Sequence, residues 1–152
     1  MAELPPRGTH GFELPGFLKA MPDPGNLLFR LGRKIQGLPL VRLTTVGART
    51  GRQRRKVLAW FPDDGRSDAG LIVGSNGGSA RHPGWAHNLI KHPDGAALDR
   101  GRGPVAIRAR LLSGEERDAG WNRVVAVAPR YRAYMTKTDR VIPIFRLTVE
   151  GS

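Results

Sequence analysis

The chain has 152 residues, enough for one domain with an ordinary core, and its 39% hydrophobic and 25% charged content is that of a globular protein. It contains no cysteine, which excludes structural disulfides, cysteine-held zinc and thiol nucleophiles. A net charge of +12 calls for an anionic partner, whether nucleic acid, an anionic membrane surface or a polyanionic small molecule.

Residues 1–16 hold Pro5, Pro6, Pro15 and three glycines, so a flexible lead-in is expected ahead of a single domain over 17–152. Asp23-Pro24 offers an N-cap with proline at the first helical position. Leu27, Leu28, Leu31 and Ile35 then form an apolar stripe opposed by Arg30, Arg33 and Lys34, with Gly37 as the stop. The spacing predicts an amphipathic helix docked on the core. Its basic face leaves peripheral membrane association open, although an apolar side poor in aromatics argues against it. From Leu38 the period changes to that of strands, over Leu38–Val46, about Arg55–Phe61 and Gly70–Ser75. Their short connections predict an antiparallel meander, with the second turn at Pro62-Asp63-Asp64-Gly65. A helix is expected from Pro83 to about Lys91, then strands near Ala96–Arg100 and Val105–Leu112. Ser113-Gly-Glu-Glu116 has the form of a capping box, opening a helix with Trp121, Val124, Val125 and Ala128 on one face. Pro129 interrupts it, Tyr131 and Tyr134 lie on a short continuation, and Val141–Val149 closes the chain as a strand. The order fits an α+β protein, a small β-barrel with helices over its openings. No run approaches the roughly 18–20 apolar residues of a membrane span. The N-terminus has no compact apolar secretory core, so a cytoplasmic protein is expected.

Two turns and one helix stand out chemically. Between Phe17 and Lys56 there are ten Lys or Arg residues against one acid, Asp23, and five of the ten lie between Arg49 and Lys56. There, Gly47-Ala-Arg-Thr-Gly51 permits close backbone approach, and the arginine forks match phosphate or carboxylate oxygens. An ordinary basic hairpin is the competing reading. Gly74-Ser-Asn-Gly-Gly-Ser79 leaves a strand and enters a helix, where free amides favour an anion, though it has neither Walker nor Rossmann spacing. His82, His87 and His92 recur every five residues, spread around the helix and hold no metal in common. Tyr131 and Tyr134 share a face and could pack on the barrel mouth or give a proton to a ligand oxygen. No nucleophile elbow is present.

Leu43-Thr-Thr-Val-Gly-Ala-Arg-Thr-Gly51, Gly74-Ser-Asn-Gly-Gly78, His82-Pro-Gly-Trp-Ala-His-Asn-Leu89 and Thr138-Asp-Arg-Val-Ile-Pro143 follow one another in this order. Together they resemble the deazaflavin-dependent nitroreductase and F420H2-dependent quinone reductase family, over about Leu27 to Leu147. The resemblance implies a split β-barrel and coenzyme F420, with its oligoglutamate tail along the basic turn. Cofactor contacts carry over onto Ala48, Arg49 and Thr50, onto Arg54, Arg55, Lys56, Val57, Leu58 and Ala59, and onto Val73, Gly74, Ser75 and Asn76. The helix adds Gly84, Trp85, Ala86, His87 and Asn88. Tyr131 matches a tyrosine near the deazaflavin ring, and Ser75 and Tyr134 match residues that face substrate. Tyr131, Tyr134 and Ser75 are therefore the candidate proton donors. Ala59 and Ala128 replace tyrosines of the best-known nitroreductase members, which implies a wider pocket with fewer donors. The implied activity is hydride transfer from F420H2 to a flat quinone-like, conjugated or nitroaromatic acceptor. The alternatives are a split barrel binding FMN, and a basic surface for nucleic acid or anionic membrane. Single-strand binding is disfavoured because no aromatic falls between Phe29 and Trp60.

Overall fold

The computed structural model describes residues 2–13, 25–32, 37–63 and 65–150. Seven strands form one antiparallel sheet in the order β2-β1-β5-β6-β7-β4-β3: β1 Leu40–Val46, β2 Gln53–Ala59, β3 Phe61–Pro62, β4 Ala69–Val73, β5 Ala96–Asp99, β6 Pro104–Leu111 and β7 Ile144–Val149. β2 and β3 are the two edges, yet only Trp60 separates Ala59 from Phe61. Two consecutive Cα steps span about 7 Å at most, so the sheet must curl until its edges nearly meet. The Trp60 N–H seals the corner by donating to the Pro39 carbonyl at 2.9 Å. This is the split β-barrel expected from the sequence.

The expected meander is corrected. Only the two-residue β3 pairs with β4, through Phe61↔Leu71 and Pro62↔Gly70, while the long face of β4 pairs with β7 from Ala69↔Thr148 to Val73↔Ile144. The cause is burial on both faces. Along β4, Ile72 enters a core with Val41, Leu43, Trp85, Leu89 and Phe145, whereas Leu71 and Val73 enter a second core with Val124, Ala128 and Tyr131. A strand sandwiched between two cores belongs inside the sheet, and its continuous apolar run says so. Helix α2, Gly84–Lys91, covers the first core with Trp85, Ala86 and Leu89, and α3, Gly114–Val127, covers the second.

Two local expectations also change. Ser113 is the N-cap of α3, but its side chain makes no capping bond. Glu116 is drawn away by Arg110, which donates to it at 2.8 and 2.7 Å, and by Arg146 at 3.0 Å. The first helix, α1, spans Gly25–Arg30, and its stripe is not docked as expected: Leu27 and Leu31 are 61% and 60% exposed. Phe29 instead meets the sheet under the Arg42 guanidinium, 5.1 Å from the ring centroid. Its expected cap at Asp23-Pro24, the residues Arg33, Lys34 and Ile35, and Asp64 of the second turn lie outside the described residues. Among the described residues no helix is long and apolar enough to cross a membrane.

Residues 2–13, expected as a flexible lead-in, run along the 78–82 loop. The Gly8 and Phe12 amides donate to the carbonyls of Ala80 and Gly78 at 2.9 and 3.0 Å.

Candidate active site

Two hydrogen bonds in the 47–51 turn set its shape: Gly47 N–H donates to the Arg52 carbonyl at 2.8 Å and Gly51 N–H to the Gly47 carbonyl at 2.9 Å. Gly51 sits at φ +70°, where a side chain is strained. Gly47 is needed for space instead, since a Cβ there would lie 2.8 Å from Thr50 Oγ1. Asn88 fixes the turn to α2. Its Oδ1 accepts from Ala48 N–H at 2.8 Å, while its Nδ2 donates to Thr45 Oγ1 at 2.9 Å.

The 74–79 loop has a comparable hub in Arg140. Its guanidinium, buried and with no carboxylate bonded to it among the described residues, donates to the carbonyls of Gly74 (3.0 Å), Ser75 (2.9 Å) and Ser79 (3.0 Å). The same group lies 2.9 Å from His82 Nδ1, and His82 Nε2 lies 2.6 Å from the Pro5 carbonyl. Guanidinium has no lone pair to offer, so Nδ1 must accept and Nε2 must carry the proton. Burial first, and the Arg140 charge after it, accordingly push the imidazole below its usual value of 6.5. Asn76 adopts φ +45° at the top of the loop and donates from Nδ2 to the Arg81 carbonyl at 3.0 Å.

Between the turn, β2 and α2 lies a cavity of about 740 Å³. Ala48, Arg49, Thr50, Arg54, Arg55, Lys56, Asn76, Gly84, Trp85, His87 and Asn88 line it, together with Arg81, which the sequence reading did not single out. Five cationic side chains and no carboxylate are among the lining residues. Arg42, Arg66, Arg108, Arg110, Arg123 and Arg146 are in ion pairs, whereas Arg49, Arg54, Arg55 and Arg81, like Arg102, Arg130 and Arg132 on other faces, form none among the described residues. What distinguishes the four is that they face one concavity, an arrangement suited to an anion.

A second cavity, about 640 Å³, adjoins it and shares Lys56, Asn76, Arg81, Pro83 and Trp85. Leu58, Val73, Ser75 and Phe12 complete much of its wall. The remaining sequence candidates lie outside both spaces. Val57, Ala59, Gly74 and Ala86 do not line them, and Ala86 is core. Ala128 is fully buried in the second core, so the lost phenol there opens no pocket. The Tyr131 ring packs edge-on against Phe61 and Tyr134 at 5.2 and 5.1 Å, and burial pushes its phenol up to about 12. Tyr134 is half-buried, with the Lys137 ammonium 5.4 Å from its ring. The residues at these cavities and their loop that the sequence reading missed are Arg140, Arg81 and Phe12. The available signal for Arg140 was its place in Thr138–Pro143, a motif quoted without a role for its charge.

The match to the F420H(2)-dependent quinone reductase model runs over residues 26–149, most of the chain. The chain belongs to this family. An F420H(2)-dependent quinone reductase of Mycobacterium tuberculosis (strain H37Rv) is 35% identical over 125 residues, 78% of this chain and 80% of that protein. Among solved structures, an F420-H2 dependent reductase is 36% identical with a TM-score of 0.62, covering 72% of this chain and 93% of that one. A second, described as a domain-swapped dimer, is 32% identical with a TM-score of 0.63, over 80% and 92% of the two chains. The curled sheet is thus the fold of this family's solved members.

Proposed function

We propose that the protein oxidises F420H2 and reduces a quinone-like acceptor, with the cofactor in the larger cavity and the acceptor in the adjoining one. The observation that carries this reading is the set of four arginines without ion pairs on a cavity that opens into a second one, where Leu58, Val73, Pro83 and Phe12 share the wall with polar groups. The residues suit the cofactor's parts. Arg49, Arg54, Arg55 and Arg81 would hold its phosphate and glutamate tail, and Thr50 lies beside them. Trp85 and Pro83, common to both spaces, would form an apolar wall for a flat ring system. Bound there, reduced F420 supplies the hydride.

The chain's own work is to position two flat molecules, exclude water and supply a proton. A quinone that gains a hydride needs one proton to become the hydroquinone. Ser75 lines the acceptor cavity and is the group we assign to hold the acceptor oxygen and pass it that proton from solvent. Lys56, lining both spaces, offers positive charge to the oxygen as electrons arrive. Tyr134 lines neither cavity, and Tyr131 packs edge-on against it. We place the enzyme in the cytoplasm, where Leu27 and Leu31 beside Arg30 would allow peripheral contact with an anionic membrane carrying a lipid quinone. The test is anaerobic oxidation of F420H2 against quinones, nitroaromatics and enones, beside equilibrium titration with F420 and with FMN. F420 binding in the micromolar range (roughly) and quinone-dependent turnover are expected. Binding of FMN or DNA without F420 refutes the reading.

A further inference from the structure

Residues 2–13 lie outside the matched family region, yet two of them, Phe12 and Glu13, line the cavity assigned to the acceptor. We infer that Phe12 is a specificity-determining wall of that cavity, held in place by the N-terminal strap, and that it selects uncharged two-ring acceptors over one-ring ones. The inference rests on the assignment of this cavity to the acceptor.

The strap is seated with close-packed geometry. Its Gly8 and Phe12 amides bond to the Ala80 and Gly78 carbonyls. Thr138 Oγ1 donates to the His10 carbonyl at 2.6 Å, and Thr9 Oγ1 donates to Asp139 Oδ2 at 2.6 Å. Gly11 lies flat on the loop, since a Cβ there would meet Ala80 N at 2.4 Å and the Gly78 carbonyl at 2.5 Å. Beside it, Gly8 would meet Thr138 Oγ1 at 2.7 Å. This seating delivers the Phe12 ring to the cavity. There it stays 48% exposed, with the Lys137 ammonium over its face, 5.7 Å from the centroid.

A half-exposed aromatic ring at the mouth of a space also walled by Leu58, Val73 and Trp85 offers a face to a flat ligand. A single ring can be covered by the half-buried Leu58 and the small exposed parts of Val73 and Trp85. A fused second ring must extend along the cavity, and Phe12 supplies the surface it would cover.

The experiment compares menadione with 1,4-benzoquinone, in the native protein and in Phe12→Ala, Phe12→Tyr and Gly11→Val. Phe12→Ala should raise the menadione KM about tenfold, change the benzoquinone KM less than about twofold, and leave kcat and F420 affinity unchanged. Phe12→Tyr should restore the native values, and Gly11→Val should reproduce the Phe12→Ala pattern with the ring intact but displaced. Menadione titration of the cofactor-free protein, followed by quenching of tryptophan fluorescence, should show the same loss of affinity. Equal effects on both quinones, or native menadione affinity in Phe12→Ala, would overturn the inference. Failure of the native protein to bind F420 refutes the cofactor reading instead, and the cofactor-free titration still decides for Phe12.

Discussion

Arg140→Met removes the hub of the 74–79 loop while keeping most of the side-chain volume. The Gly74 carbonyl and His82 Nδ1 lose partners in bonds that are buried, whereas the Ser75 and Ser79 carbonyls are part-buried and can regain water. A buried acceptor left without a donor costs about 1–3 kcal/mol, so the two buried ones cost about 2–6 kcal/mol. Against this, the native guanidinium is itself held below its usual pKa by burial, with no carboxylate bonded to it among the described residues, and removing it relieves some desolvation. A net loss of about 2–4 kcal/mol follows, which at this chain length lowers Tm by roughly 4–16 °C. Scanning calorimetry reads the first quantity and menadione turnover the second. Turnover should fall more than F420 affinity, because Arg140 holds the Ser75 carbonyl directly and touches none of the turn arginines. A Tm within about 2 °C of native would show that the loop keeps its shape without the guanidinium, and would refute the reasoning.

Asn88→Ala strands the Ala48 amide and should cost about 1–3 kcal/mol while weakening F420 binding, both lost together in a thermal and a fluorescence titration. Arg54→Ala with Arg55→Ala should weaken F420 binding roughly five- to thirtyfold at low salt. Much of that difference should vanish at about 1 M salt, and native affinity at low salt would remove these residues from the site. His82 has a depressed pKa, so below its unfolded value of 6.5 the unfolded chain binds the extra proton more readily than the folded one. Its contribution is therefore complete above about pH 6.5 and fades as acid is added, with Arg140 and His87 the charged or titratable neighbours. His82→Gln, which can accept from Arg140 and donate to Pro5, should flatten this part of the stability profile measured from pH 7.5 to 5.

Much of the fold was legible because period and punctuation are local. β1, β2, β5, β6 and β7, and helices α2 and α3, fall within a few residues of the expected segments. Ile107 and Ala109 bury while Arg108 and Arg110 face water, the alternation expected of β6. Pairing is not local: nothing between Ala69 and Val73 says that the partner lies beyond residue 143. The capping box failed for a related reason, since Arg146 arrives at Glu116 from a strand thirty residues on. In the site, the turn and α2 were visible as motifs, whereas Arg140 stands out as a buried guanidinium with no acid bonded to it among the described residues, and a sequence does not display a missing partner. The strap was illegible because Pro5, Gly8 and Gly11 read as loop punctuation. In the fold Gly11 marks a place where backbone meets backbone, and Gly8 one where backbone meets the side chains of Thr138, Asp139 and Arg140.

The two cavities also divide the energetics. Charge is concentrated on the side bounded by the turn, where Arg49, Arg54 and Arg55 are exposed and their attraction to an anion is screened by salt. The cavity we assign to the acceptor carries Glu13, Lys56 and Arg81 beside Leu58, Val73, Pro83 and Trp85, and an uncharged ligand gains most from the apolar contacts, which depend on area and shape and are insensitive to salt. Raising ionic strength should therefore weaken cofactor binding while leaving the KM of an uncharged quinone unchanged, measured at saturating F420H2. If both move together, Arg81 or Lys56, the cations common to the two spaces, must hold the acceptor as well. Arg81→Met would then separate the cases, lowering quinone affinity only if the guanidinium reaches across.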